Sequence, residues 1–382
     1  MLPKGALDGV LVLDLSRLLP GPYASMILAD HGARAIAVED PRNNWEGMKE
    51  SIVHRNKEHM SLNLKSEKGR EVFLRLAESA DVVLEGFRPG VTQRLGMDYE
   101  TLSGINPGII YCSITGYGQT GPYKDVAGHD VNYLSTAGVL DLIGESDGPP
   151  VIPGVQVADM AGGGMNAVIG ILMAMLERGR TGKGQYVDIS MTDGSFSLLT
   201  MALTISQMSG EPLRRSDSVF SHRYACYNVY ETKDGRYISI GAVENRFWRE
   251  LCEFFQVPEY GELQYDEGRR QEIIDYFRSR FRKKTMSEWE QELRGRDVCW
   301  APVLHMEEAT EEPLFREREM VTRVQKRDNA PLKVVGTPVK LSSTPGSVRT
   351  PPPEFGGDTV RILEEWGYEQ SHISEMKRTG AV

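Results

Sequence analysis

The stretch Val10-Leu-Val-Leu-Asp-Leu-Ser-Arg-Leu-Leu-Pro-Gly-Pro-Tyr23 carries a short apolar run straight into a proline-glycine turn, followed by a helix-like segment, Pro22–Asp30. A brief apolar run bounded by turn residues reads as a buried strand. The turn has neither the G-x-G-x-x-G spacing nor the lysine of a Walker loop, which bring backbone close to phosphate in nicotinamide and nucleoside-triphosphate sites. It therefore predicts an α/β layer that is not an ordinary dinucleotide fold.

Working outward, Ala33–Glu39, Asp81–Leu84, Ile109–Ile114 and Gln185–Ile189 repeat the strand pattern, while Glu67–Ala80 and Ala158–Arg178 carry helical spacing. Alternating strands and helices predict a Rossmann-like, doubly wound and mostly parallel sheet, with its site at the carboxyl ends of the strands. A large α/β domain is expected over residues 1–200. A charged linker then leads to strand-like runs at Tyr224–Tyr230 and Tyr237–Ile240, three amphipathic helices (246–256, 268–282, 286–294) and a strand at Cys299–Leu304. That predicts a smaller α+β domain over 220–325. Residues 326–382, with Pro351-Pro-Pro353 and a helix candidate at Asp358–Trp366, predict an extended segment returning to the large domain.

A net charge of -10 argues against nucleic acid or an anionic membrane as partner, since either needs a broad basic face. The four cysteines are scattered, so neither a disulfide framework nor a zinc site is expected. With no signal-like N-terminus and no apolar run of membrane-spanning length, a cytoplasmic location is expected.

Several residues have the chemistry of a site. His129 and Asp130, in Gly128-His-Asp130, follow a glycine-rich loop (Gly116–Tyr123) that leaves a strand. Asp159 stands before Gly162-Gly-Gly164 at the start of a long apolar helix. Each is also explained as a helix cap, although a cap needs no glycines. Glu244 is placed at the end of a small-domain strand, and Arg88 in Glu85-Gly-Phe-Arg-Pro-Gly90 at a strand-to-helix turn suited to phosphate. Arg42, Arg55, Lys57 and Lys65 form a local basic group in an acidic chain, suited to an ADP-like moiety. Met160, Met165, Met191 and Met208 are candidates for an adaptable apolar wall.

In order and spacing these segments resemble the family III CoA-transferase superfamily, nearly end to end: Val12–Ser16 with Pro20–Tyr23, Ser61–Lys65, Asp81–Gly90, Gly116–Tyr123, Gly128–Asp130, Ala158–Gly164, Thr181–Gln185 and Cys299–Val303. Within it they are most similar to the α-methylacyl-CoA racemase branch. In the transferases the aspartate matching Asp159 forms an anhydride with the acyl group, and Gly-His-Asp is generally missing. In the racemases it works with the histidine, so the presence of His129 favours the racemase branch.

The resemblance implies an acyl-CoA substrate, with no separate cofactor because coenzyme A is part of the substrate, and no metal. His129 and Asp159 are implied as acid and base, with Asp130 and Glu244 positioning His129. The expected CoA contacts are Arg88, Arg42, Leu64, Lys65 and Tyr133, and the backbone N–H groups of Asp159, Met160 and the glycine run are candidates for the enolate oxygen. It also implies two interlocked subunits forming a homodimer, each site shared between the large domain of one and the small domain of the other.

Overall fold

The computed structural model describes residues 5–43, 51–326 and 330–382, which divide into two units. The first comprises Met1–Ala137, Gly154–Leu198 and Pro313–Val382, and the second Gly138–Pro153 and Leu199–Glu312.

The first unit is built on six parallel strands: β1 (Leu11–Asp14), β2 (Arg34–Glu39), β3 (Lys57–Ser61), β4 (Val82–Glu85), β5 (Ile110–Thr115) and β6 (Tyr186–Ser190). Their order is β3-β2-β1-β4-β5-β6, so the winding reverses between β1 and β4. The sheet is the doubly wound layer that the apolar runs predict. Strands covered on both faces need a near-continuous apolar sequence, and β1, β2, β4 and β5 have one.

The sixth strand, β3, is not among the expected ones. Its sequence, Lys57-Glu-His-Met-Ser61, lacks β-branched residues, and its polar side chains find partners instead. The ammonium of Lys57 is buried 3.4 Å from Asp14, and Glu58 pairs with Arg34 at 2.8 Å. His59 Nδ1 accepts the Gly356 N–H at 2.8 Å.

On one face the sheet packs against α2 (Glu67–Ala77) and the two C-terminal helices, through Val72, Phe73, Leu76, Ile362 and Ile373. Ser66 starts α2 by accepting the Gly69 N–H at 3.0 Å. The other face carries α1 (Pro20–Asp30), opened by a proline that needs no N–H there, and α4 (Asn166–Thr181). The C-terminal segment runs extended from Gly336, tied to the end of α1 by Ser347 N–H to the Asp30 carbonyl (2.8 Å) and to the residue before β3 by Thr350 N–H to Asn56 (2.9 Å). A hairpin, Val321–Gln325 with Pro331–Val335, precedes it and has no counterpart in the sequence reading.

Contrary to the expectation of no such run, the helical stretch Ala158–Thr181 is, by length and composition, long and apolar enough to cross a membrane. One side of it packs on α1, β5 and β6. Met165, Ile169, Leu172, Met173 and Leu176, spaced at helical intervals, form an exposed stripe.

The second unit has a three-stranded antiparallel sheet: β7 (Tyr227–Glu231), β8 (Tyr237–Gly241) and β9 (Trp300–Pro302), in the order β7-β8-β9. Helices Asn245–Phe254, Arg270–Phe281 and Met286–Leu293 cover one face, where Tyr230, Ile238, Trp248, Phe277 and Trp289 interlock. The alternation along β7 and β8 leaves Tyr227, Val229 and Tyr237 exposed on the other face.

Candidate active site

Two cavities open at the carboxyl ends of the strands, on either side of the β1/β4 reversal. The larger, about 660 Å³, is lined by Ser16 and Arg17 beyond β1, by Gly86, Phe87, Arg88 and Pro89 beyond β4, and by Thr115, Gly116 and Tyr117 at the end of β5. His129, Tyr133, Asp159 and Met191 also line it. The smaller, about 470 Å³, is lined by Glu39, Asp40 and Arg42 beyond β2, and by Leu64 and Lys65 beyond β3. Arg17 and Phe87 line both, so the cavities share a wall.

His129 is exposed at the residue preceding α3 (Asp130–Thr136), and its N–H donates to Asn132 Oδ1 at 3.0 Å. The turn is propped by Tyr133, whose hydroxyl donates to the Gly128 carbonyl. A Cβ at Gly116 or Gly128 would lie 2.4 or 2.8 Å from that ring, which is why both positions are glycine. Burial pushes the Tyr133 phenol up to about 12, so it stays a donor.

Asp159 lies in a π-helical turn, Ala158–Met165, that widens the helix before α4 begins. Here the sequence predicts a plain helix. A Cβ at Gly162 would lie 2.6 Å from the Met191 carbonyl, and one at Gly164 would lie 2.8 Å from the Tyr23 ring. The glycines therefore let α1 and α5 (Met191–Ser197) approach, and the close neighbour is protein backbone and side chain.

Burial, aided by the Asp130 charge, raises the Asp159 carboxyl to about 6, and His129 opposes the rise. The perturbation is of the kind that functional carboxyls show.

Two expectations need correction. Asp130 engages the Asp159 backbone, accepting its N–H at 3.0 Å, rather than the imidazole of His129. The first N–H groups of a helix lack partners within it, and Asp130 meets one of them. Of the candidate donors to an enolate, two are already engaged: Asp159 N–H by Asp130, and Met160 N–H by the Gln156 carbonyl at 3.0 Å.

Glu244 belongs to the second unit. It lies beyond β8, which closes at Gly241, and is exposed at the start of helix Asn245–Phe254, where its carbonyl accepts the Phe247 N–H at 3.0 Å. Of the expected CoA contacts, Arg88 and Tyr133 line the larger cavity and Arg42, Leu64 and Lys65 the smaller. Arg42 is held by Asp40 (2.8 Å) and Asn63 (3.2 Å).

Arg55 and Lys57 drop out of the basic group. Arg55 is buried against Asp30 at 2.6 Å, and Lys57 is enclosed with Asp14. Met191 lines the larger cavity, whereas Met165 and Met208 are exposed.

Arg17, Ser16 and Lys124 also line the larger cavity and are not among the residues the sequence singles out. A clue was available for the first two: Asp14, two residues before Ser16, has the spacing of a side-chain-closed turn, and its carboxylate accepts the Ser16 N–H at 2.9 Å.

A model of CoA-transferase family III matches residues 7–359. The chain is 35% identical to the α-methylacyl-CoA racemase of Homo sapiens, over 97% of this chain and 96% of the relative. It is 32% identical to the succinyl-CoA:glutarate CoA-transferase of Homo sapiens, over 98% and 90%. A solved structure of a CAIB/BAIF family protein from Brucella suis superposes with a TM-score of 0.82 at 28% identity, covering 95% of this chain and all of that one.

Proposed function

The chain belongs to CoA-transferase family III, a family of enzymes, and from that premise we propose that it is an α-methylacyl-CoA racemase, interconverting (2R)- and (2S)-2-methylacyl-CoA. One observation carries the reading: His129 and the raised carboxyl of Asp159 line one cavity.

The α-proton of a thioester is weakly acidic. Its removal needs a base on one face, and inversion needs an acid on the other. With a carboxyl at about 6, roughly one Asp159 in ten is protonated at pH 7, so both its forms are available. His129 takes the proton from one epimer while Asp159 returns one to the opposite face, and the roles exchange for the other epimer.

The anionic end of coenzyme A is assigned to Arg42 and Lys65 in the smaller cavity and to Arg88 in the lining of the larger. The thioester follows past the shared wall of Arg17 and Phe87. Coenzyme A enters as part of the substrate and no further cofactor is invoked. A second copy of the chain is assigned to the exposed stripe from Met165 to Leu176, giving a homodimer.

The test is to incubate one epimer of a 2-methylacyl-CoA in heavy water. Deuterium at the α-carbon together with the opposite epimer is expected. Absence of both across several acyl chains overturns the proposal.

The transferase relatives support a second reading, in which Asp159 attacks the thioester and passes CoA to a free acid through an anhydride. Hydroxylamine trapping on Asp159 after adding acyl-CoA separates the two, because racemisation forms no such adduct.

A further inference from the structure

Glu85, Ser113 and Asp188 are register partners on β4, β5 and β6, so their side chains stand in one row across three strands. The Ser113 hydroxyl donates to one oxygen of Glu85 and accepts from the Tyr186 hydroxyl at 3.0 Å. The other oxygen of Glu85 accepts the Phe87 N–H at 2.6 Å, and Asp188 accepts the Gln119 N–H at 3.1 Å from the next loop.

Asp14, the carboxylate that closes β1 and the register partner of Leu84, has the ammonium of Lys57 beside it. Among the described residues no cation pairs with Glu85, which is 2% exposed. Burying a carboxylate without a counter-charge is costly, and here it pushes the group up to about 7. The cost falls on the residue that immediately precedes the cavity-lining turn Gly86-Phe-Arg-Pro89.

We infer that Glu85 is the positioning residue for Arg88. Its bond to Phe87 N–H closes the turn on one side, and Pro89 confines Arg88 to extended backbone on the other. Arg88 is thereby held in the lining of the larger cavity, and Phe87 in the wall that the two share. The inference rests on the reading that Arg88 meets the phosphates of an acyl-CoA.

The test compares KM for 2-methylacyl-CoA with KM for the matching acyl-pantetheine, which lacks the phosphates. Glu85→Met keeps the volume and removes both acceptors, whereas Glu85→Gln keeps an acceptor for Phe87 N–H. Glu85→Met is expected to unfold at the same or a higher urea concentration than the parent, because the buried charge is gone. Its KM for acyl-CoA is expected to rise about tenfold with kcat within about twofold. Glu85→Gln restores KM to within about threefold, neither variant alters KM for acyl-pantetheine, and Glu85→Met adds nothing in an Arg88→Ala background.

If Arg88→Ala raises KM and Glu85→Met does not, or if the two add in the double variant, the positioning role is overturned while the Arg88 reading stands. If Arg88→Ala leaves KM for acyl-CoA unchanged, the Arg88 reading itself falls. Should Glu85→Met not fold, Ser113→Ala removes the support on the other side of Glu85. A rise in KM confined to the phosphate-bearing substrate is then expected, and an unchanged KM overturns the proposal.

Discussion

The carboxylate of Asp130 accepts a hydrogen bond from the backbone N–H of Asp159 at 3.0 Å, so Asp130 acts on Asp159 twice: it fixes the backbone there, and its charge helps raise the carboxyl. Asp130→Asn keeps an acceptor and deletes the charge. The Asp159 carboxyl, lifted by burial and then by Asp130, should fall, and the acidic limb of the pH profile for α-hydrogen exchange should move to lower pH. A limb that stays in place on this substitution would show that Asp130 does not tune Asp159.

The raised Asp159 carboxyl also weakens the fold. Its folded value of about 6 lies above the ordinary 3.8, so its contribution to stability is fully present below pH 4 and is lost as pH rises through 6. Asp159→Asn should therefore be more stable than the parent at pH 7 by about 1–2 kcal/mol, after allowance for partial solvent screening, with the gap closing below pH 4. Urea unfolding at the two pH values reads this directly.

Substitution of His129 by Ala should lower α-hydrogen exchange by about 10²–10⁴, the usual contribution of a positioned general acid or base. Because the residue is exposed at a helix start, stability should change little. Equilibrium binding of a non-exchangeable acyl-CoA analogue should remain within a few-fold of the parent, and a comparable loss of binding would remove His129 from the chemistry.

Lys57 and Asp14 form a buried pair in which the lysine also donates to the Pro22 carbonyl at 2.8 Å. Lys57→Met alone leaves a carboxylate enclosed without its cation and should cost about 3–5 kcal/mol. Adding Asp14→Asn should return part of that loss. Both effects are read from urea midpoints, and strict additivity would show that the pair is not coupled.

Ile169 and Met173 lie on the exposed stripe of α4. Changing both to Glu should leave the helix folded and shift the assembly toward monomer in sedimentation velocity, if a second copy covers this face.

The sequence disclosed what periodicity and composition encode. β1, β2, β4 and β5 are legible because strands buried on both faces must be apolar, and His129 and Asp159 because a histidine and a carboxylate beside glycine-rich turns invite chemistry. β3 was illegible because its side chains are satisfied by residues far away in sequence, such as Asp14 and the segment near Gly356. The engagement of Asp159 N–H by Asp130 was illegible for a related reason: it joins two elements whose meeting is decided by tertiary packing. The basic group misled in part, since one charge symbol covers both a lysine open to a ligand, Lys65, and one locked inside, Lys57.

The way residues 336–381 are tied to β3 has a consequence for biosynthesis. Asn56 and Asn63, on either side of this strand, hydrogen-bond with Thr350 and Ala381, and His59 within it with Gly356. The outer edge of the sheet, against which the smaller cavity is built, therefore lacks its partners while those residues are still inside the ribosome. The second unit, whose residues have emerged by Glu312, can be complete first. Stalled nascent chains should accordingly show protease resistance in the second unit before β3 acquires any, and resistance of β3 in chains stopped near residue 330 would contradict that order.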